Sequence, residues 1–161
     1  MSETLLYKGD CLELMKNIKD KSIDMILADL PYGTTQCKWD SVIPFDKLWK
    51  QYHRVIKDNG AIVLFGQEPF SSYLRLSNID EYKYDIVWDK VKGVGFLNAK
   101  KQPMRNHELI SVFYKQQGEV YDSCGENLYD STDRYPRSIQ VFSTDTQNSS
   151  LHPTQKPIKL L

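Results

Sequence analysis

Ile23-Asp24-Met25-Ile26-Leu27-Ala28-Asp29-Leu30-Pro31-Tyr32-Gly33 is the stretch whose reading decides the fold. From Ile23 to Ala28 every residue but Asp24 is apolar, the pattern of a strand buried on both faces in a parallel sheet covered by helices. Pro31 biases Leu30 toward an extended conformation, because the proline ring disfavours the helical region for the residue before it. Asp29 then stands at the carboxyl end of the strand, followed by an aromatic ring and by Gly33, which lets the chain turn closely. In open α/β sheets ligands bind at that end.

Upstream, Cys11, Leu14, Met15 and Ile18 form one helical stripe with Asp10 at the N-cap position, so a short amphipathic helix is expected over 10–20. Downstream, Phe45, Leu48, Trp49, Tyr52 and Ile56 share a helical face between Pro44 and Gly60, which predicts a helix over about 45–58. Ala61 to Phe65 reads as a second buried strand, and Pro69 opens a helix carrying Phe70, Tyr73 and Leu74. Tyr84, Ile86 and Trp88 alternate as a third strand, and Leu109 to Tyr114 makes a fourth. Strands alternating with helices argue an open, mostly parallel α/β sheet in one domain. Residues 116–150 turn polar, apart from Ile139, Val141 and Phe142, and read as a long loop or small insertion.

A chain of 161 residues suits one modest domain. With 40% hydrophobic and 26% charged residues it has a globular composition, no run approaches the roughly 18 apolar residues of a membrane span, and a cytoplasmic location is expected. Cys11, Cys37 and Cys124 are expected as free thiols, and His53, His107 and His152 show no metal-ligand spacing, so no metal is expected. Lys and Arg number 21 against 21 Asp and Glu, so attraction to nucleic acid requires a local patch. Lys90, Lys92, Lys100, Lys101 and Arg105 are the densest basic stretch and the candidate nucleic-acid contacts, a solvated loop face being the alternative.

Asp29-Leu30-Pro31-Tyr32 resembles the D-P-P-Y motif of the amino-methylating DNA methyltransferases, and His152-Pro153-Thr154-Gln155-Lys156-Pro157 resembles their H-P-T-x-K-P segment. The resemblance implies a Rossmann-like sheet and methyl transfer from S-adenosylmethionine to adenine N6 in double-stranded DNA, of restriction-modification or phage type. Cytosine N4 is the competing acceptor, since one site can hold either amine. It implies that Asp29 and the Leu30 carbonyl accept the two N–H bonds of the amine, that Pro31 stiffens the turn, and that Tyr32 stacks on a flipped base. Leucine at position 30 departs from the family's usual proline. For the cofactor it implies Asp10, Cys11, Asp29, Pro153, Thr154, Gln155 and Lys156, although Asp10 read by itself is first a helix cap, a role compatible with the other. Trp88-Asp89-Lys90, the 93–101 loop and His107-Glu108 resemble the family's middle section, with a β-hairpin as the alternative.

The family's glycine-rich F-x-G-x-G loop has no counterpart here, since Gly93-Val94-Gly95 lacks the rest of that fingerprint. The sequence therefore reads as an incomplete methyltransferase domain lacking the strand and helix of the cofactor loop. A complementing C-terminal segment or a homodimer is expected to cover the sheet edge so exposed. The reading from a different class is a decayed remnant that only binds nucleic acid or a partner.

Overall fold

The computed structural model describes residues 3–35, 37, 40–115, 137–143 and 156. Five strands form one open sheet in the order β1 (Ile23–Asp29), β2 (Ile56–Gly66), β4 (Arg105–Phe113), β3 (Tyr82–Val94) and β5 (Ile139–Val141). β1 pairs parallel with β2 and β3 with β5, while β4 is antiparallel to both of its neighbours. Four strands thus run in one direction and β4 alone is reversed, which is the open, mostly parallel α/β sheet the sequence implies. No helix among the described residues is long and apolar enough to cross a membrane.

Among the described residues three helices accompany the sheet: α1 (Cys11–Leu14), α2 (Phe45–Val55) and α3 (Phe70–Leu76). α2 turns Leu48, Trp49, Tyr52 and Val55 inward, and the core it builds joins Ile62 and Leu64 of β2 to Leu74 and Phe113. A second, smaller core of Phe65, Trp88 and Ile110 lies on the sheet beneath the site described below.

Four expectations are corrected. The helix over 10–20 is only the single turn of α1 followed by a 3-10 turn at Met15–Asn17, and Leu12, Met15 and Ile18 pack inward while Cys11 is exposed. That three-residue spacing suits the tighter 3-10 repeat. α2 stops at Val55 rather than 58, because Ile56 turns extended and pairs with Ile23. Gly60 is not a helix cap. It lies in β2 beside an irregularity in the pairing with β1, where an added Cβ would fall 2.7 Å from the Asp24 carbonyl oxygen.

β1 is not buried on both faces. Ile26 and Ala28 pack on the core, whereas Met25 is 54% exposed and Leu27 is also open to solvent, because β1 is an edge strand whose other face no described element covers. The residues around Trp88-Asp89-Lys90 form a β-hairpin, β3 and β4 pairing antiparallel around a short 3-10 turn at Phe96–Asn98. Residues 116–136 and 144–150, most of the expected polar insertion, lie outside the described residues.

Candidate active site

β1 delivers Asp29 level with Phe65 of β2, and the alternation of the strand sends the next side chain, Leu30, into the core. Leu30 thus contributes packing by its side chain. The Asp29 carboxylate keeps 36% exposure, with Oδ1 accepting a hydrogen bond from the Tyr32 hydroxyl at 2.7 Å and Oδ2 lying 3.1 Å from Lys156 Nζ. Burial, reinforced by the negative charge of Asp29 and this hydrogen bond, pushes the Tyr32 phenol far above its ordinary range, so it stays a donor.

Lys156 bridges two acids. Its ammonium donates to Glu108 Oε2 at 2.8 Å, and Lys90 donates to the other Glu108 oxygen, so Asp29, Lys156, Glu108 and Lys90 form one chain of alternating charge. The rings of Phe65, Trp88 and Tyr32 stand 5.0, 5.8 and 6.0 Å from Lys156 Nζ, a distance at which their faces attract a cation. Trp88 is fixed in turn by its indole N–H, which donates to the Phe142 carbonyl at 2.8 Å. Burial alone would raise the Glu108 carboxyl, but the charge and hydrogen bonds of Lys156 and Lys90 hold it below the usual range.

Asp40 sets the turn after Tyr32. Its buried carboxylate accepts from the backbone N–H groups of Gly33, Thr34 and Thr35 at 2.9, 3.0 and 2.7 Å. Gly33 has φ +68°, a left-handed conformation that favours glycine, and an added Cβ would press on Val42 at 3.0 Å. Thr34 accepts from Gln67 at 3.1 Å, and Gln67 accepts from Arg105, so the loop is tied to β4. Tyr32 and this loop form one wall of a mainly apolar cavity of about 430 Å³ completed by Val42, Phe45, Pro69, Phe70 and Tyr73. The Tyr32 and Phe70 rings lie 5.1 Å apart at 34°.

A family model described as DNA methylase, N6_N4_Mtase, matches residues 23–161. The chain belongs to this family of DNA methylases. Among curated relatives, the chain is 26% identical to the type II methyltransferase M.HinfI of Haemophilus influenzae over 97% of its own length and 53% of the relative's. It is 27% identical to M.HpaI of Haemophilus parainfluenzae over 94% of itself and 55% of that protein. It therefore spans about half the length of the curated relatives it matches.

Solved structures agree in fold. The cytosine-N4-specific PvuII DNA methyltransferase superposes with a TM-score of 0.68 at 16% identity, covering 96% of this chain and 66% of that one. The M1.HpyAVI–SAM complex gives 0.64 at 22% identity, covering 96% and 71%.

Within this chain the residues expected at the site divide. Asp29, Tyr32 and Lys156 are brought together, and Leu30 and Pro31 join Asp29 to Tyr32. Asp10 caps α1, its Oδ1 accepting from Leu12 and Glu13 N–H at 2.8 and 3.3 Å, and it lines a different groove with Lys16, Lys47 and Lys50. Pro153, Thr154 and Gln155 lie outside the described residues. Lys92, Lys100 and Lys101 are exposed on the hairpin, but Lys90 is turned inward onto Glu108, because it shares a strand face with the buried Trp88. Arg105 is half-buried against Gln67.

Asp40 and Gln67 escaped the sequence reading, and Glu108 entered it only within the middle-section resemblance, with no role at the site. Glu108 had a signal: it occupies the same strand face as Ile110 and Val112, and an acid on a buried face requires a counter-charge. Asp40 had a weaker one, since an acid closing a Gly-Thr-Thr turn is a ready acceptor for free backbone amides.

Proposed function

We propose that the chain carries the amine-holding side of an S-adenosylmethionine-dependent DNA methyltransferase acting on adenine N6. The observation that carries this reading is Asp29: a half-open carboxylate at a strand's carboxyl end, hydrogen-bonded to Tyr32 and standing beside an apolar cavity. An exocyclic amine donates poorly because its lone pair is delocalised into the ring, so two acceptors aimed at its N–H bonds are needed to draw the nitrogen toward tetrahedral geometry. Asp29 Oδ1 and the Leu30 carbonyl supply them once the Tyr32 hydroxyl lets go. Tyr32 then offers its ring to the flipped base, offsetting part of the few kcal/mol of unstacking. As positive charge grows on the attacking nitrogen, the Asp29 carboxylate stabilises it.

The chemistry of the donors fits the cofactor at its charged end. Asp29 and Lys156, paired with each other at 3.1 Å, hold a carboxylate and an ammonium, the complement of an amino acid's own two charges, whereas Asp10 faces a separate groove. S-adenosylmethionine would supply an already activated methyl group, so the residues' work is alignment and charge stabilisation. Exposed Lys92, Lys100 and Lys101 serve as phosphate contacts. A further segment or a second copy of the chain covers the open edge of β1.

The test is transfer of labelled methyl groups to mixed-sequence duplex DNA, with the modified nucleoside identified by mass spectrometry, for the wild type and for Asp29→Ala. N6-methyladenine from the wild type and at least a hundredfold less from the variant is expected. N4-methylcytosine would transfer the reading to the competing amine. Equal products from both proteins would remove Asp29 from the mechanism, and no product from either would favour a chain that only binds.

A further inference from the structure

We propose that the tip of the β3–β4 hairpin is a wedge, with Phe96 and Leu97 entering the DNA base stack to fill the gap left by the flipped nucleotide. This rests on the reading of the substrate as duplex DNA. Phe96 and Leu97 are 78% and 98% exposed, and Val91 and Val94 below them are also open to solvent. The tip is nonetheless ordered: Gly95 takes φ +91°, and the turn is closed by Asn98 N–H on the Gly95 carbonyl at 3.0 Å and Ala99 N–H on the Phe96 carbonyl at 3.0 Å. Two large apolar side chains are therefore held out in water by a formed turn, a cost that a partner must offset.

The sheet register puts this tip beyond the same rim of the sheet as the site. Asp29 is level with Phe65, Phe65 with Ile110 and Ile110 with Ile86, so Ile86 marks the height of Asp29 on β3. β3 runs parallel to β1 and continues from Ile86 to Val94, opposite Ile110 to Arg105 of β4, and those five residues at about 3.3 Å each carry the turn roughly 17 Å beyond the height of Asp29. An irregularity between Asp89 and Val94, with Val91 at φ +69°, bends the strand on the way.

Charge selects the partner. From Val91 to Met104 the sequence carries Lys92, Lys100 and Lys101, all exposed, and no acid, in a chain whose net charge is zero. A polyanion fits that patch better than a neutral protein surface. Bases present flat apolar faces between two rows of phosphate, and wedges of Phe or Leu with flanking Lys are a known way to enter a duplex. A base taken to Asp29 leaves its neighbours unstacked, and Phe96 or Leu97 restores contact there while Lys92, Lys100 and Lys101 hold the phosphates on either side.

The experiment titrates the chain into mixed-sequence duplexes containing 2-aminopurine, whose fluorescence rises on unstacking, at several salt concentrations. The wild type should raise the fluorescence. Phe96→Ala/Leu97→Ala should melt at the wild-type temperature, lose most of that rise and bind about tenfold more weakly, with the salt dependence of affinity unchanged. Lys100→Ala/Lys101→Ala should keep the rise at saturation but lower the slope of log affinity against log salt by about two. If the alanine pair unstacks and binds DNA as the wild type does, the wedge is refuted while the DNA reading stands. A wild type that binds no duplex overturns both, and alanine-sensitive binding to phosphatidylserine vesicles without duplex binding reassigns the tip to a membrane surface.

Discussion

At Glu108 burial and two ammonium groups pull the carboxyl in opposite directions, and the ammonium groups win. A carboxyl held below its ordinary value binds fewer protons in the native state than in the unfolded chain. Its contribution to stability is complete at neutral pH and is lost as pH falls from the unfolded value of about 4.3 through the lower folded one. Glu108→Gln should therefore lose about 3 kcal/mol near pH 7, because Lys90 loses its carboxylate partner and Lys156 keeps only Asp29, and its melting temperature should fall less on acidification than the wild type's. Parallel melting curves for the two proteins down to about pH 3 would show that the bridge does not operate. Asp40→Ala removes the acceptor of three backbone N–H groups and should cost about 2 kcal/mol, with amide exchange accelerated at Gly33, Thr34 and Thr35. Unchanged exchange at those amides would mean that the loop holds itself.

The meeting of α2 with β2 illustrates what periodicity reads and what it misses. The apolar face of Phe45, Leu48, Trp49 and Tyr52 was legible, since residues on one side of a helix recur at fixed spacing. The end of the helix was not, because Ile56 is claimed by Ile23 and the last carbonyls of α2, at Arg54 and Val55, accept from Lys21 and Ser22 N–H. Such partners are distant in sequence. The same limit hid the site's supports: Asp29 and Tyr32 lie three residues apart and could be read together, whereas Glu108 meets Lys156 only through the folded sheet. Lys90 was grouped with its basic neighbours by charge, although its two-residue offset from Trp88 already put it on a buried face. For Gly60 the structure makes a firm demand. A methyl group there would meet the Asp24 carbonyl and Ile56 at 2.7 Å, both packed into the β1–β2 pairing, so Gly60→Ala should cost about 1–3 kcal/mol. A urea midpoint equal to the wild type's would show that β1 can move aside.

Over the whole sheet, the two edges differ in how they are finished. β5 ends one side with only three residues, a short edge that offers little to a neighbour, while β1 ends the other with seven and leaves its outer hydrogen-bonding groups unpaired among the described residues. β1 also keeps Met25 and Leu27 in water on the face away from α2, and no lysine or proline interrupts it. Natural sheets blunt such edges with charge, proline or a covering element, because an open apolar strand is a template for another chain. The chain alone should therefore associate through β1 as its concentration rises. Met25→Lys and Leu27→Lys place charge on that face without touching the core, so each should change unfolding stability by no more than about 0.5 kcal/mol while shifting sedimentation toward monomer. Substitution of exposed Val94 on β3, separated from this edge by β2 and β4, should leave association unaltered. A wild type that sediments as a monomer at every concentration, or lysine variants that associate as strongly as it does, would show that the edge of β1 is protected in a way its exposed side chains do not reveal.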